Sequence, residues 1–259
     1  MKVRGERECQ SCGTRWSYYE TGSVACPSCG DLRSVGVDDR TAHTDAPVAL
    51  DLAAHRERFG DAPDTLPRSG ADELSSDLRE YCRKRGFIRA GRLAPLDDTY
   101  LAARELLEAV DCFERLRDPA DADREYLLAL LAGADDGERP PADAVPTALR
   151  EARGMATVRA VEAYRSDALD FLGELEAGGE LEAGRELEAG DDPDGAPDVG
   201  GDGRSDGPPV TVEGDDPESR IGPARDAFER LRDRVARVDA LGGDEIGRAS
   251  CRERVYCEV

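Results

Sequence analysis

The chain has 259 residues, enough for one or two domains, with 57 acidic against 35 basic residues and a net charge of −22. Aromatic residues make up only 5%, so any hydrophobic core is small and built largely from leucine, valine and alanine. No apolar stretch approaches the roughly 20 residues a bilayer-spanning helix needs, and no apolar core follows the basic N-terminal residues, so neither an anchor nor a signal peptide is expected.

The acid excess persists through segments with helical patterning, and Lys2 and Lys84 are the only lysines. Such a composition suits a soluble protein of a high-salt cytoplasm, where screening shortens the reach of self-repulsion. The competing reading is an acidic protein of an ordinary cell with long disordered parts. Cytoplasmic residence is expected in either case, and it favours thiolates over disulfides.

Residues 1–37 carry the strongest chemical signal. Cys9-Gln-Ser-Cys12-Gly13 is answered by Cys26-Pro-Ser-Cys29-Gly30. Two Cys-x-x-Cys knuckles, each followed by glycine, predict a four-thiolate metal site of the zinc-ribbon kind. A strand over Thr14–Glu20, a turn at 21–23 and a return through Val24-Ala25 would form a hairpin that brings the four sulfurs together. Gly13 and Gly30 are expected at positive φ, where the chain turns its amides toward sulfur. So small a unit cannot bury enough surface to fold alone, so metal binding would supply much of its folding free energy.

Residues 38–70 read as a partly ordered, proline-interrupted linker holding both histidines, His43 and His55, in expected contact with solvent. An antiparallel α-helical bundle is predicted over 71–172. Its first helix spans Asp72–Arg85, with Leu74, Leu78 and Tyr81 on one face and Gly86 as the stop. A compact connection at Phe87–Leu93 leads to a helix capped by Asp98 or Thr99 and running to Leu116. A shorter helix is expected at Asp121–Leu131, and a long one opens at Pro146 and runs to about Leu172. Cys82 and Cys112 fall among apolar neighbours and read as small core residues.

From Gly173 the hexapeptide Gly-Glu-Leu-Glu-Ala-Gly recurs, the third copy starting with arginine, and glycine in every copy argues against a helix. With the Asp, Gly and Pro of 191–219 it predicts a disordered acidic linker over 173–219. A last helix within 220–243 places Phe228, Leu231, Val235 and Val238 on one side, for docking on the bundle or on another chain. The run Glu245–Val255, within 244–259, resembles the conceptual translation of a sequencing-library adapter and is read as an artefact, so Cys251 and Cys257 are not counted as ligands. The expected fold class is therefore mainly α: a small N-terminal zinc ribbon, a helical bundle and an acidic linker.

A second feature is the basic run Arg79, Arg83, Lys84, Arg85, Arg89 and Arg92, opposed only by Glu80 and interleaved with Tyr81 and Phe87. Arginines beside aromatics could contact nucleic-acid phosphates and stack on bases. The plainer reading, and the favoured one, is a helix end whose arginines pair with nearby acids and complement the helix dipole.

Over Met1–Val37, and less clearly over Leu74–Leu131, the sequence resembles haloarchaeal proteins with a transcription factor IIB-type or rubrerythrin-type zinc ribbon. That resemblance implies a structural zinc held by Cys9, Cys12, Cys26 and Cys29. A single iron, as in rubredoxin, is the alternative metal, since four thiolates suit either. Full rubrerythrins also need Glu-x-x-His motifs on bundle helices, and none exists here. No phosphate loop, nucleophile elbow or dinucleotide fingerprint appears. A non-enzymatic adaptor that binds a protein or nucleic-acid partner is the expected function, with electron transfer through iron as the alternative.

Overall fold

The computed structural model describes residues 1–60, 68–188 and 217–241. Among them the protein is mainly α, with small antiparallel strands confined to its first 93 residues. The N-terminal strands are β1 (Lys2–Arg4), β2 (Glu6–Cys9), β3 (Arg15–Ser17), β4 (Ser34–Gly36) and β5 (Arg40–Ala42), with the short helix α1 (Tyr18–Thr21) after β3. β2 lies between β3 and β4, pairing Arg7 with Trp16 and Glu8 with Val35, while β1 pairs with β5.

The expected hairpin between Thr14–Glu20 and Val24-Ala25 does not form. The strand leaving the first knuckle ends at Ser17, where the chain enters α1, and Gly22 at φ 62° closes that turn by donating to the Tyr18 carbonyl at 2.8 Å. Its partner is β2, which runs into Cys9 from the other side. Pairing across one knuckle costs less loop-closure entropy than reaching the next. It also buries Trp16 against Cys9 and Cys26.

A β-hairpin, β6 (Ile88–Arg89) and β7 (Arg92–Leu93), forms the connection expected at Phe87–Leu93. Its two-residue turn holds Ala90 at φ 52° and Gly91 at φ 72°, the left-handed pair that matches strand twist. Five longer helices carry the remainder: α3 (Arg68–Lys84), α4 (Asp98–Arg115), α5 (Asp121–Gly133), α6 (Arg150–Glu188) and α7 (Pro217–Ala240). The eight-residue α2 (Ala53–Gly60) lies in the segment read as linker. Pro146 caps a short 3-10 turn, Thr147–Leu149, which feeds α6.

Helix α4 is the centre. Asp97 caps it by accepting from the Tyr100 amide at 2.8 Å, and α3, α5 and α6 all pack on it. Its buried residues, among them Tyr100, Ala103, Leu106, Leu107 and Val110, fall on several faces, as a helix surrounded by others requires. The core they share includes Leu74, Leu78, Tyr81, Phe87, Leu127, Leu130 and Leu149.

Helix α6 runs through the first two hexapeptide copies and into the third, contrary to the reading of glycine as a breaker. Glycine costs about 1 kcal/mol per helical position, but Glu, Leu, Glu and Ala between glycines are good helix formers. A helix already nucleated on the bundle extends without a new nucleation cost. Residues 189–216 and 242–259, which carry the rest of the expected linker and the adapter-like run, lie outside the described residues.

Helix α7 docks on α6. Ile221 and Val235 are buried, the Phe228 ring is 6.3 Å from that of Tyr164, and Arg225 pairs with Glu176 at 2.7 Å. No helix among the described residues is long and apolar enough to cross a membrane.

One expectation about single side chains fails. The histidines are not solvated: His43 is 3% and His55 5% exposed. His55 Nε2 meets Asp77 at 2.8 Å, whereas neither ring nitrogen of His43 has a partner among the described residues. His43 is packed against Tyr18 and Tyr19, and its amide donates to the Met1 carbonyl. Burial lowers its pKa; Asp45 opposes this, while Arg89 and the N-terminus add to it. Buried acid also matters despite the abundance of carboxylates. Glu105 is 1% exposed, accepts from Tyr126 Oη, and sits 3.3 Å from Arg139 and 3.5 Å from Arg153.

Both features generate predictions. Removing the buried carboxylate with Glu105→Ala leaves the Tyr126 phenol without its acceptor and Arg139 and Arg153 with only their weaker partners, Asp98 and the Pro140 carbonyl, so thermal unfolding should show a loss of about 2–4 kcal/mol. For His43 the unfolded imidazole binds protons more readily than the buried one. Its contribution is therefore complete above about pH 6.5 and lost as pH falls below that. The drop in melting temperature between about pH 7 and about pH 5 should be smaller in His43→Phe than in the wild type. An equal drop in both would exclude the effect.

Candidate metal centre

Each knuckle is built by the same two backbone hydrogen bonds and a glycine at positive φ. In the first, the Cys9 amide donates to the Thr14 carbonyl at 2.9 Å, the Gly13 amide donates to the Cys9 carbonyl at 3.0 Å, and Gly13 has φ 73°. In the second, Cys26 donates to Asp31 at 2.9 Å, Gly30 donates to Cys26 at 2.9 Å, and Gly30 has φ 72°. A Cβ on either glycine would touch nothing within 4 Å. These positions need glycine for its backbone conformation and not for space.

The turns bring the four sulfurs within 4.8 Å of one another. Cys9 Sγ is 3.7 Å from Cys29 Sγ, and Cys12 Sγ is 3.6 Å from Cys26 Sγ. A tetrahedron with metal–sulfur bonds of about 2.3 Å has edges of roughly 3.8 Å, so these residues fit a tetrahedral metal. The inner pair, Cys9 and Cys26, is buried against Trp16, whose Nε1 donates to the Ser23 carbonyl at 3.1 Å; the outer pair, Cys12 and Cys29, is exposed.

Charge at the site is handled locally. The Ser11 amide donates to Cys9 Sγ at 3.4 Å. Hydrogen bonds from the Thr14 side chain and backbone bring the Cys12 thiol down to about 6, whereas at Cys29 the Asp31 backbone hydrogen bond is outweighed by Cys12 and burial, which push it up to about 12, so Cys12 is the first of the two to become a thiolate. Ser11, Asp31 and Arg33 tie the two knuckles together: Ser11 Oγ donates to Asp31, and Arg33 reaches both Asp31 at 2.8 Å and Ser11 Oγ at 2.9 Å. Arg33 and Ser11 hold the Asp31 carboxyl well below its usual range. This brace was not legible in the sequence, where a serine inside one knuckle and an aspartate after the other carry no mark of pairing.

The basic run disperses. Arg79 pairs with Asp111 at 2.9 Å, Lys84 with Glu80 at 2.5 Å, and Arg85 with both Asp45 and Asp97 at 2.8 Å. Arg89 donates to the Tyr19 carbonyl at 3.4 Å, while Arg83 and Arg92 make no ion pair among the described residues. Tyr81 and Phe87, which were to supply stacking surfaces, are 5% and 1% exposed and belong to the core. Burial pushes the Tyr81 phenol up to about 12. The apolar period of α3 and the turn at Gly86 turn these rings inward, and the arginines follow the opposite face. Cys82 is buried, with its thiol raised by burial to about 11, and Cys112 Sγ donates to the Ala148 carbonyl at 3.4 Å.

The ribbon docks on the helical part through residues 42–46. The Thr44 and Ala46 amides donate to the carbonyls of Ile88 and Lys84, and Gly91 donates to Ala42. Thr44 crosses so close to Gly86 that a Cβ there would lie 2.4 Å from Thr44 Oγ1 and 2.5 Å from its carbonyl carbon. Gly86, expected only as a helix stop, is also the point of contact between the two parts.

Fold and site together define a mainly α protein with an N-terminal pair of cysteine knuckles positioned to bind a metal ion. The chain belongs to a family of unknown function, DUF7117, whose model matches residues 1–189, from the first strand through α6. No curated protein and no solved structure matches it.

The ribbon core of Cys9, Trp16 and Cys26 shares no residue with the helical core, so the two should fail separately. In Cys9→Ser, emission from Trp16, the only tryptophan, should shift to that of a solvated indole while far-ultraviolet helicity stays nearly intact. Gly30→Ala should weaken the ribbon by roughly 1–2 kcal/mol through backbone strain alone, read as a lower chelator concentration for metal release.

Proposed function

We propose that the protein is a zinc-binding, non-enzymatic adaptor whose ribbon surface meets a protein partner. The four-sulfur geometry carries this reading. Zinc suits four thiolates without needing redox machinery, and so bound it is coordinatively closed, with no position for a catalytic water. The sequence lacks the motifs of phosphate, dinucleotide or acyl chemistry. Among the described residues the large apolar side chains left exposed include Val24, Leu32, Val35 and Val37, which flank the second knuckle in sequence. In a chain of net charge −22, residues 1–37 hold five basic against four acidic side chains, so this apolar surface sits on a nearly neutral island. A neutral, apolar surface favours a protein partner over a polyanion. The pairing of Arg79, Lys84 and Arg85 and the burial of Tyr81 and Phe87 count against a nucleic-acid surface along α3.

Metal analysis of protein purified without added metal, together with its visible spectrum, tests the reading. One zinc per chain and no colour is the expected result; a red, iron-containing protein would instead support rubredoxin-like electron transfer. Leu32→Asp, at a position 71% exposed, should leave zinc content and melting temperature unchanged while abolishing partner capture. Retention by a nucleic-acid pool that is lost in Arg83→Glu/Arg92→Glu would move the partner to nucleic acid.

A further inference from the structure

Away from the ribbon knuckles, a cleft of about 270 Å³ opens where α3, α4 and α6 meet the segment after β5 that carries Thr44. Three arginines line it, and they are not equivalent. Arg85 is held by Asp45 and Asp97 and is spent on the fold. Arg83, from the end of α3, and Arg104, from α4, have no carboxylate within ion-pairing distance among the described residues, although the chain holds 57 acidic side chains.

Arg104 is pre-positioned. Its Nε and Nη2 donate to Tyr100 Oη at 3.1 and 2.8 Å, and its guanidinium lies 5.2 Å from the Tyr100 ring centroid. That leaves the remaining guanidinium donors of the fork without a protein acceptor. Tyr100 Oη accepts from Arg104 and has no acceptor for its own proton among the described residues, while the exposed Ser166 adds a hydroxyl from α6. Asp167 also borders the cleft. Its Oδ2 takes two neutral donors, Thr44 Oγ1 and the Phe87 amide, both at 2.7 Å, which hold it against the ribbon-side wall.

We propose that this cleft binds a small phosphate-bearing ligand, with the phosphate between Arg83 and Arg104. Two guanidiniums from different helices and the exposed Ser166 hydroxyl line the cleft, while the fully buried Tyr100 holds the Arg104 fork in place. Such a donor set suits a tetrahedral oxyanion better than a planar carboxylate. The volume leaves room for a small organic group beside the phosphate. Asp167 confines the negative charge to the side away from the ribbon. The site is independent of the zinc reading, because it uses no residue of the ribbon knuckles.

The test is titration of the full-length, metal-loaded chain with inorganic phosphate, followed by calorimetry and melting temperature, at constant ionic strength set with chloride. Saturable binding is expected, weakened about ten-fold or more in Arg104→Gln and in Arg83→Gln, since each removes a charge-assisted contact. Arg104→Lys keeps the charge but loses the fork, and it should also bind weakly while circular dichroism stays native. Arg117→Gln, away from the cleft, should bind as the wild type does. Absence of saturable binding by the wild type, equal binding by the folded Arg83 and Arg104 variants, or equal affinity for acetate would each overturn the assignment.

Discussion

The burial of α4 is the constraint from which the other parts take their positions. A helix enclosed by α3, α5 and α6 must be apolar on several sides, and each polar group it carries inward needs a partner. Glu105 finds Tyr126, Arg139 and Arg153; Glu108 finds Arg159. At its N-terminus Asp97 serves twice, capping the helix and holding Arg85, which in turn holds Asp45 beside the ribbon. A chain of ion pairs and hydrogen bonds thus runs from the helical core to the segment that follows β5.

The ribbon follows a different logic. Its core is three side chains, so its order rests on closure of the four sulfurs, with hydrogen bonds and the Ser11–Asp31–Arg33 brace locking the two knuckles to each other. The close crossing of Thr44 and Gly86 places this unit against the bundle, with the apolar Val24, Leu32, Val35 and Val37 still exposed. A helical support carrying a small head of two cysteine knuckles is an arrangement that presents a surface, and the proposed adaptor role rests on that division.

Much of the candidate site was legible in the sequence, because the spacing of Cys9, Cys12, Cys26 and Cys29 and their following glycines is a local pattern. The positive φ of Gly13 and Gly30 follows from the same local requirement. Helices α3, α4 and α5 were legible from apolar period, an Asp near the start of α4 and the Gly86 stop. Strand pairing was less so. Three- and four-residue strands have too few alternations to reveal a partner, so β1, β2, β4 and β5 went unread, and the pairing of β1 with β5 and of β2 with β4 rests on contacts remote in sequence.

The sequence by itself determined the ligand set, the mainly α class and the apolar face of α7, since each depends on spacing within a few residues. Only tertiary structure decided which charges and rings are free. Arg79 and Arg85 look alike in sequence to Arg83, yet two are bound to acids brought from Asp111, Asp45 and Asp97, while Arg83 faces the cleft beside Arg104. Tyr81 and Phe87 were stacking surfaces only in the less favoured reading of the basic run, His43 read as solvated, and all three are buried. The physical reason is common to them: a side chain's ionic partner and its exposure are set by what the fold brings to it from distant positions, and no local spacing encodes that.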